Sequence, residues 1–170
     1  MIFVTVGSQM PFDRLIAAVD QWASEAGRTD VVAQIGDSEL TPQSIESFER
    51  VAPAEFERLC TEAELLVAHA GMGSILTALE NGTPVLVMPR RGALRETRND
   101  HQVATAKALS AQGRVMVAMD EDELIATLHD LGPVEASPTI SAHASPELLE
   151  AVGAFVAEPV PRWRSLLGRT

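Results

Sequence analysis

Short, mostly apolar runs alternate along the chain with segments whose apolar residues recur at helical spacing. The apolar runs cover residues 2–6, 31–35, 65–68, 85–88 and 115–119, with a shorter candidate strand at 48–51. Helical spacing covers residues 12–23, 53–63, 75–81, 99–112, 120–128 and 146–156. Runs without polar alternation are typical of strands buried on both faces, and strands that alternate with helices form parallel sheets. The pattern predicts an α/β fold with a single Rossmann-like, doubly wound parallel sheet.

The same pattern divides the chain into three parts. An α/β domain is expected over residues 1–131, because strands and helices alternate there without interruption. Residues 132–145 are rich in Ala, Ser and Pro, which is typical of a linker. A C-terminal helix and tail follow over residues 146–170, and the tail places Trp163 among arginines. This last part either docks a partner or covers an edge of the sheet.

Composition narrows the classes of function. The formal net charge of −11 argues against a general nucleic-acid or anionic-membrane surface. The single cysteine, Cys60, excludes an internal disulfide and fits a reducing compartment, and its place on the apolar side of a helical pattern favours an inert core thiol. No stretch has the length of a membrane span. We therefore expect a soluble, cytoplasmic protein, which a partner could hold at the inner face of a membrane.

The segment from 64 to 89 has the clearest chemical signal. An apolar strand runs into the turn His69-Ala70-Gly71-Met72-Gly73-Ser74, a helix follows, and a second apolar strand comes after it. Two glycines let the backbone turn sharply and a ligand approach closely, and the free N–H groups of the helix's first turn favour an anion. Taken alone, such a turn is as compatible with a structural bend as with a phosphate site. A second turn of this kind, Gly7-Ser8, ends the first strand, and loops of this type gather at one edge of an α/β sheet.

A basic loop follows the second of these strands. It contains four arginines, Arg90, Arg91, Arg95 and Arg98, in an otherwise acidic chain. Asn99-Asp100-His101-Gln102 then supplies hydrogen-bonding side chains at a helix entrance. Cations beside amide and carboxylate groups are what a nucleotide-sugar site needs, so we favour that interpretation over a solvated loop with an ordinary helix cap.

Other chemistries fit less well. The turn Gly71-x-Gly73 lacks the third glycine of a dinucleotide fingerprint, and there is no Walker sequence. Asp120-x-Asp122 has the spacing of an acidic metal motif, but its place at a helix start favours capping, with Glu123 as the partner of Asp120. The four histidines have no ligand spacing, so no metal site is expected.

The motifs together resemble the C-terminal domain of family-28 glycosyltransferases. The similarity lies in residues 69–74, in Gly82-Thr83-Pro84 with the strand and Pro89-Arg90 after it, and in Glu96 with residues 99–102. The opening residues 3–8 with Phe12-Asp13 resemble the small stand-alone members of the family. These include the soluble subunit of a two-protein enzyme that adds the second N-acetylglucosamine to a lipid-diphosphate sugar, and bacterial subunits of capsule and exopolysaccharide synthesis. The resemblance covers about residues 1–130.

The resemblance implies half of a GT-B glycosyltransferase, equivalent to its C-terminal domain. Such a domain binds a UDP-sugar donor without a metal or other cofactor, while a membrane-associated partner supplies the acceptor half and binds a lipid-linked saccharide. Transfer of N-acetylglucosamine or another hexose would be the reaction, with no catalytic base identified in this chain. The implied donor-binding residues are Gly7, Ser8, Arg50, Val51, His69, Gly71, Met72, Gly73, Ser74, Thr77, Arg90, Arg91, Asp100 and Gln102.

Two positions depart from the family pattern. Thr77 stands where a glutamate commonly holds the ribose hydroxyls, and Glu80 lies nearly one helical turn further on. Thr97 replaces a residue that is commonly histidine. The missing glutamate keeps a second hypothesis open, in which the chain is a non-catalytic subunit that stabilises or activates a membrane glycosyltransferase. A sugar-nucleotide epimerase of related fold is disfavoured, because such enzymes hold both halves in one chain.

Overall fold

A computed structural model describes residues 1–132, 136–137, 139–141 and 143–157. It contains a parallel sheet of six strands in the order β3-β2-β1-β4-β5-β6. The strands are β1 (Ile2–Thr5), β2 (Val31–Gln34), β3 (Glu46–Phe48), β4 (Leu65–His69), β5 (Val85–Met88) and β6 (Met116–Val117). The helices are α1 (Asp13–Ala26), α2 (Pro53–Glu62), α3 (Met72–Asn81), α4 (His101–Ala111), α5 (Glu121–Asp130) and α6 (Pro146–Ala157). A short 3-10 helix, Gly92–Leu94, lies between β5 and α4.

The sheet separates two apolar layers. Side chains of adjacent strand residues point to opposite faces, so Ile2 and Val4 pack in one layer and Phe3 packs in the other. The first layer includes residues of α1 and α5, such as Leu15 and Leu124. The second layer includes residues of α2, α3 and α4. Helices cover both faces, which confirms the predicted α/β, doubly wound architecture.

The strand order places the two glycine turns next to each other. β1 pairs with β4 in register, with Thr5 opposite Ala68. The chain leaves β1 toward one side of the sheet and leaves β4 toward the other, because strand order reverses between them. Ligands of open α/β sheets bind at the carboxyl edge beside such a reversal. Gly7-Ser8 and the turn after His69 both lie there.

Several predicted boundaries differ from the structure, and three of these differences have a clear basis. The candidate strand at 48–51 is found earlier, at Glu46–Phe48. Just after these paired residues, Ile35 N–H and Gly36 N–H donate to the carbonyls of Phe48 and Glu49. The predicted strand at 115–119 is reduced to Met116–Val117, the two residues that pair with β5. The helix predicted from residue 99 begins at His101, since Asn99 and Asp100 bond backbone amides of the entrance instead.

The described residues fall into two compact units, which divide after Ile140. In the first unit, Ser137 N–H bonds Gly82 O and Ile140 N–H bonds Leu79 O, so this part of the predicted linker is hydrogen-bonded to α3 and its C-cap. In the second unit, Ser145 begins α6 as predicted, accepting from Leu148 N–H at 3.3 Å. The predicted tail with Trp163 lies outside the described residues. None of the helices in the described ranges has the length and apolar character needed to cross a membrane.

Candidate functional site

The loop after β1 is held by a buried polar network. Gly7 has φ +78°, a left-handed conformation that glycine adopts without steric cost. Its N–H donates to Thr5 Oγ1 at 3.1 Å, and that hydroxyl donates to Gln34 Oε1 at 2.6 Å. The Gln34 side-chain amide in turn donates to Gly7 O and Glu49 O. Thr5 and Gln34 therefore join the loops that follow β1 and β3, and both side chains are buried.

Arg90 holds the other side of the same loop. It follows β5, and its guanidinium donates to the carbonyl oxygens of Val6, Met10 and Pro11. Its Cζ lies 4.7 Å from the centre of the Phe12 ring. The residue is only 4% exposed, and in the part of the chain that the structure describes no carboxylate oxygen lies within 4.0 Å of it. Burial lowers the pKa of Arg90, an effect that Glu96 opposes. A buried guanidinium that bonds only neutral carbonyls keeps its positive charge at this edge of the sheet, which favours an anion nearby.

His69 fills the space between the two glycine turns. A Cβ placed on Gly7 would lie 2.5 Å from the imidazole Cε1, and one placed on Gly71 would lie 2.7 Å from the same atom. The ring Nδ1 is buried and has no hydrogen-bond partner among the described residues. Burial, helped by the positive charge of Arg90, lowers the pKa of His69 to about 4. His69 is therefore neutral at pH 7, and its ring requires glycine at both neighbouring positions.

The first turn of α3 is open to a ligand. Gly71 is the N-cap residue, and no side chain of the described residues caps the helix. The N–H groups of the first turn have no partner within a helix, so they favour an anion in front of them. A Cβ on Gly73 would meet nothing within 4 Å, so the space beside this turn is empty. Ile75, Ala78 and Leu79 bury the opposite side of the helix, which fixes its open face toward the carboxyl edge.

Two cavities share this edge of the sheet. The larger has a volume of about 580 Å³ and extends between α2 and α3, over Thr5 and Gln34. The smaller has a volume of about 310 Å³ and extends toward Arg90 and the entrance of α4. Both are lined by Gly7, Ser8, Gly73 and Ser74. The two glycine turns thus stand where the cavities meet.

Most of the predicted donor-binding residues line these cavities. In addition to the four shared residues, Arg50, Val51 and Thr77 line the larger one. His69, Gly71, Arg90 and Gln102 line the smaller one. Arg50 pairs with Asp37 and Glu49 at the surface, and Thr77 Oγ1 donates to Gly73 O within α3. Arg50 and Thr77 therefore already use some of their hydrogen-bond donors within the protein.

Three predicted residues are not brought to either cavity lining. Met72 is 46% exposed at the start of α3. Arg91 donates from its guanidinium to Met119 O, and Asp100 accepts from Gly92 N–H at 2.8 Å. Arg91 and Asp100 therefore brace the loop between β5 and α4, and their donor-binding roles stay predictions.

Sequence reasoning also missed several lining residues. Thr5 and Gln34 are polar residues within apolar strands, and that contrast was a usable signal. Glu57 and Asn81 line the larger cavity from helix positions that no motif marks, and Glu80, already noted nearly one helical turn beyond Thr77, lines it as well. By contrast, the predicted cap of α5 is confirmed, since Glu123 N–H donates to Asp120 Oδ1 and Met119 N–H donates to Glu123 Oε2. Within the described ranges, no three His, Cys, Asp or Glu side chains are grouped as a metal ion would require.

Comparison with known proteins connects this geometry to a family. The UDP-N-acetylglucosamine transferase subunit ALG13 of Homo sapiens is 34% identical over 124 residues, which is 67% of this chain and 10% of the human protein. The subunit of the same name from Cryptococcus neoformans is 43% identical over 70 residues, which is 40% of this chain and 33% of that protein. The chain therefore spans between a tenth and a third of the length of these curated relatives. They give no support to the exopolysaccharide role that the resemblance also suggested.

Solved structures show the same fold at low sequence identity. The solution structure of ALG13 has a TM-score of 0.58 and 20% identity, covering 89% of this chain and 93% of that one. MurG from Acinetobacter baumannii has a TM-score of 0.56 and 18% identity, covering 75% of this chain and 41% of MurG. The model of the glycosyltransferase family 28 C-terminal domain matches residues 1–146. The chain therefore belongs to glycosyltransferase family 28 and carries its C-terminal domain.

Proposed function

We propose that this chain is the donor-binding subunit of a glycosyltransferase that transfers N-acetylglucosamine from UDP-N-acetylglucosamine to a lipid-linked saccharide. A membrane-associated partner would supply the acceptor half at the cytoplasmic face of the membrane. The names of the ALG13 relatives, which are UDP-N-acetylglucosamine transferase subunits, support this choice of sugar. The observation that carries the proposal is the meeting of two cavities at the glycine turns, beside a buried arginine that has no carboxylate partner among the described residues.

Each part of a UDP-sugar has a matching environment. The larger cavity has the size range of ligand sites that hold a nucleoside, and Val51 and Phe56 supply apolar surface for a base. The junction at Gly73 and Ser74 would receive the diphosphate on the open N-terminus of α3. The smaller cavity would receive the sugar, with Gln102 among its lining residues.

The chemistry requires stabilising the leaving group. In the proposed inverting transfer, an acceptor hydroxyl forms a new C–O bond at the anomeric carbon while the bond to the diphosphate oxygen breaks. Negative charge grows on the departing diphosphate, and preorganised amides of α3 with the Arg90 charge oppose it. Because this charge compensation comes from the protein, we expect transfer to persist in excess EDTA.

The acceptor proton must go to a general base, and this chain offers no convincing one. His69 has a pKa lowered to about 4, so it is a weak proton acceptor, and its ring packs against both glycine turns. We therefore assign the base to the partner. His69 instead places a neutral imidazole on the diphosphate side of the site.

Calorimetric titration with UDP tests the proposal directly. We expect a dissociation constant from about 1 μM to about 1 mM, as for a typical substrate. Gly73→Trp should abolish binding because it fills the junction of the two cavities. Leu76→Trp is the matched control, since Leu76 is 40% exposed on the same helix and lines neither cavity. Equal UDP affinity in both variants would remove the proposed site.

One observation favours a second candidate, the non-catalytic accessory subunit. Thr77 stands at the position where the family commonly has a carboxylate, and its hydroxyl donates to a carbonyl within α3. If the purified chain binds no UDP but still raises the activity of a co-expressed membrane glycosyltransferase, the accessory role replaces the proposal.

A further inference from the structure

Arg14 joins four segments of the chain at the rim of the smaller cavity. It lies in the first turn of α1 and forms two parallel bonds to Glu96, Nε to Oε1 at 2.8 Å and Nη2 to Oε2 at 3.0 Å. Its Nη1 donates to Glu121 of α5 at 2.7 Å, and Nη2 also donates to Pro89 O. Arg14 and Glu96 are only 12% and 13% exposed. A forked arginine–carboxylate pair fixes geometry as well as charge.

Glu96 passes this constraint to the loop of residues 91–100. Its Oε2 also accepts from Arg91 N–H at 2.8 Å, which closes the loop on itself. The loop contains the only non-glycine residue with positive φ in the described part of the chain, Arg95 at +58°. Such a conformation is unfavourable for an arginine and persists only where the surroundings impose it. The loop is therefore held by contacts rather than by its own preference.

This loop forms one wall of the smaller cavity. Glu96 and Thr97 line that cavity, together with His101 and Gln102 just beyond the loop. None of these four lines the larger cavity. A shift of the loop would therefore change the smaller cavity and leave the proposed nucleoside cavity intact.

We propose that Arg14 and Glu96 are positioning residues that hold the loop of residues 91–100 in the geometry that recognises the sugar of the donor. The inference rests on the proposed function, because it assigns the sugar to the smaller cavity. Neither side chain needs to touch the nucleotide. Their loss should weaken discrimination of the sugar while UDP itself still binds.

The test compares UDP with UDP-N-acetylglucosamine by calorimetry on the full chain. For wild type and for Glu96→Gln, Arg14→Met and the double variant, the quantity of interest is the ratio of the two dissociation constants. We expect UDP affinity to stay within about twofold and the ratio to change by about tenfold, the size of one lost charge-assisted hydrogen bond. The double variant should add little to either single change, because the two residues act as one unit. Arg58→Met with Glu62→Gln is the matched control, an exposed pair on α2.

A second readout needs no ligand. Hydrogen exchange of the Arg91 amide should be slow in wild type and fast in Glu96→Gln, because the variant weakens the acceptor of that N–H. If Arg14→Met does not fold, Arg14→Lys keeps the charge but loses the fork and should change the ratio in the same direction.

The outcomes separate the two proposals. An unchanged ratio in folded variants overturns the positioning role while UDP binding stands. Equal weakening of both ligands, in step with a lower melting temperature, also overturns it, because that is what a purely structural pair would do. If wild type binds neither ligand, the proposed function fails first and this inference fails with it.

Discussion

The close packing of His69 against Gly7 and Gly71 predicts how much unfolding free energy Gly71→Ala should cost. The backbone of Gly71 has φ −93° and ψ 132°, a region open to alanine, so the substitution introduces no backbone strain. The added Cβ would overlap the imidazole Nε2 and lie 2.7 Å and 2.8 Å from Cε1 and Cδ2. Since favourable carbon contacts lie near about 3.5–4.0 Å, the ring must move. Gly7 also lies against the ring, so the ring can move only toward the smaller cavity that it lines.

The magnitude follows from the cost of overpacking. Inserting a methyl group into a filled site costs about 1–3 kcal/mol of unfolding free energy, and the overlap with the ring should place Gly71→Ala within that range. Gly7→Ala should cost about 1–2 kcal/mol more, because its φ of +78° adds left-handed strain to the overlap. Gly73→Ala is the control: its Cβ would meet nothing within 4 Å, so stability should be unchanged or rise by up to about 1 kcal/mol.

Urea denaturation of a double-mutant cycle with His69→Ala measures the predicted coupling. Without the ring, Gly71→Ala should cost less than about 1 kcal/mol, the remaining penalty of alanine at an N-cap. Gly7→Ala should keep its strain of about 1–2 kcal/mol in the same background, because removing the ring does not change φ. If Gly71→Ala costs the same with and without His69, the ring does not occupy the space between the turns and the proposed arrangement of the site is wrong.

Four further predictions concern single groups. His69 has a folded-state pKa of about 4 against an ordinary 6.5, so the unfolded chain binds more protons than the folded chain between these pH values. The unfolding free energy should therefore rise by about 3 kcal/mol as the pH increases from 4 to 6.5. The variant His69→Ala should flatten that rise. Burial raises the pKa of Cys60 to about 12, so its thiol should react with a disulfide reagent at pH 8 only after unfolding. Arg90→Lys should weaken UDP binding by about tenfold or more in calorimetry, because an ammonium cannot bond the three loop carbonyls at once. Unchanged affinity would contradict the role of Arg90 in holding the loop after β1. Thr77→Glu should tighten the binding of UDP more than that of 2′-deoxy-UDP, because the new carboxylate can accept from the ribose hydroxyls. Thr77→Val should tighten the binding of neither ligand.

Features that depend on local chain pattern could be predicted from the sequence. The end of α3 at Asn81 and the cap of α5 by Asp120 depend on residues a few positions apart, and both were predicted. The parallel sheet was predicted because uninterrupted apolar runs that alternate with helices are typical of strands covered on both faces. Edge strands were the weak point. β6 has two residues and β3 has an exposed Glu46-Ser47, so neither carries the apolar signal of a central strand.

Long-range polar contacts could not be predicted in this way. Arg90 was expected to offer its charge to phosphates, but its guanidinium bonds the carbonyls of a loop about 80 positions away in sequence. No spacing rule connects these segments, since only the sheet brings the exits of β1 and β5 together. Gln34 is a similar case, in which the side chain reaches the loops after two different strands.

The charge distribution explains how an acidic chain can offer an anion site. Exposed charges are screened over about 8 Å at physiological salt, so the net charge of −11 acts weakly on a ligand inside a cavity. What the ligand meets is set by the nearest groups. These are the open amides of α3, the buried guanidinium of Arg90 and an imidazole that stays neutral. The one carboxylate beside them that lines the smaller cavity, Glu96, is engaged by Arg14. The groups that would favour an anion at the junction of the cavities are therefore the Arg90 guanidinium and the fixed dipoles of α3, with Glu96 already paired, rather than an excess of basic residues.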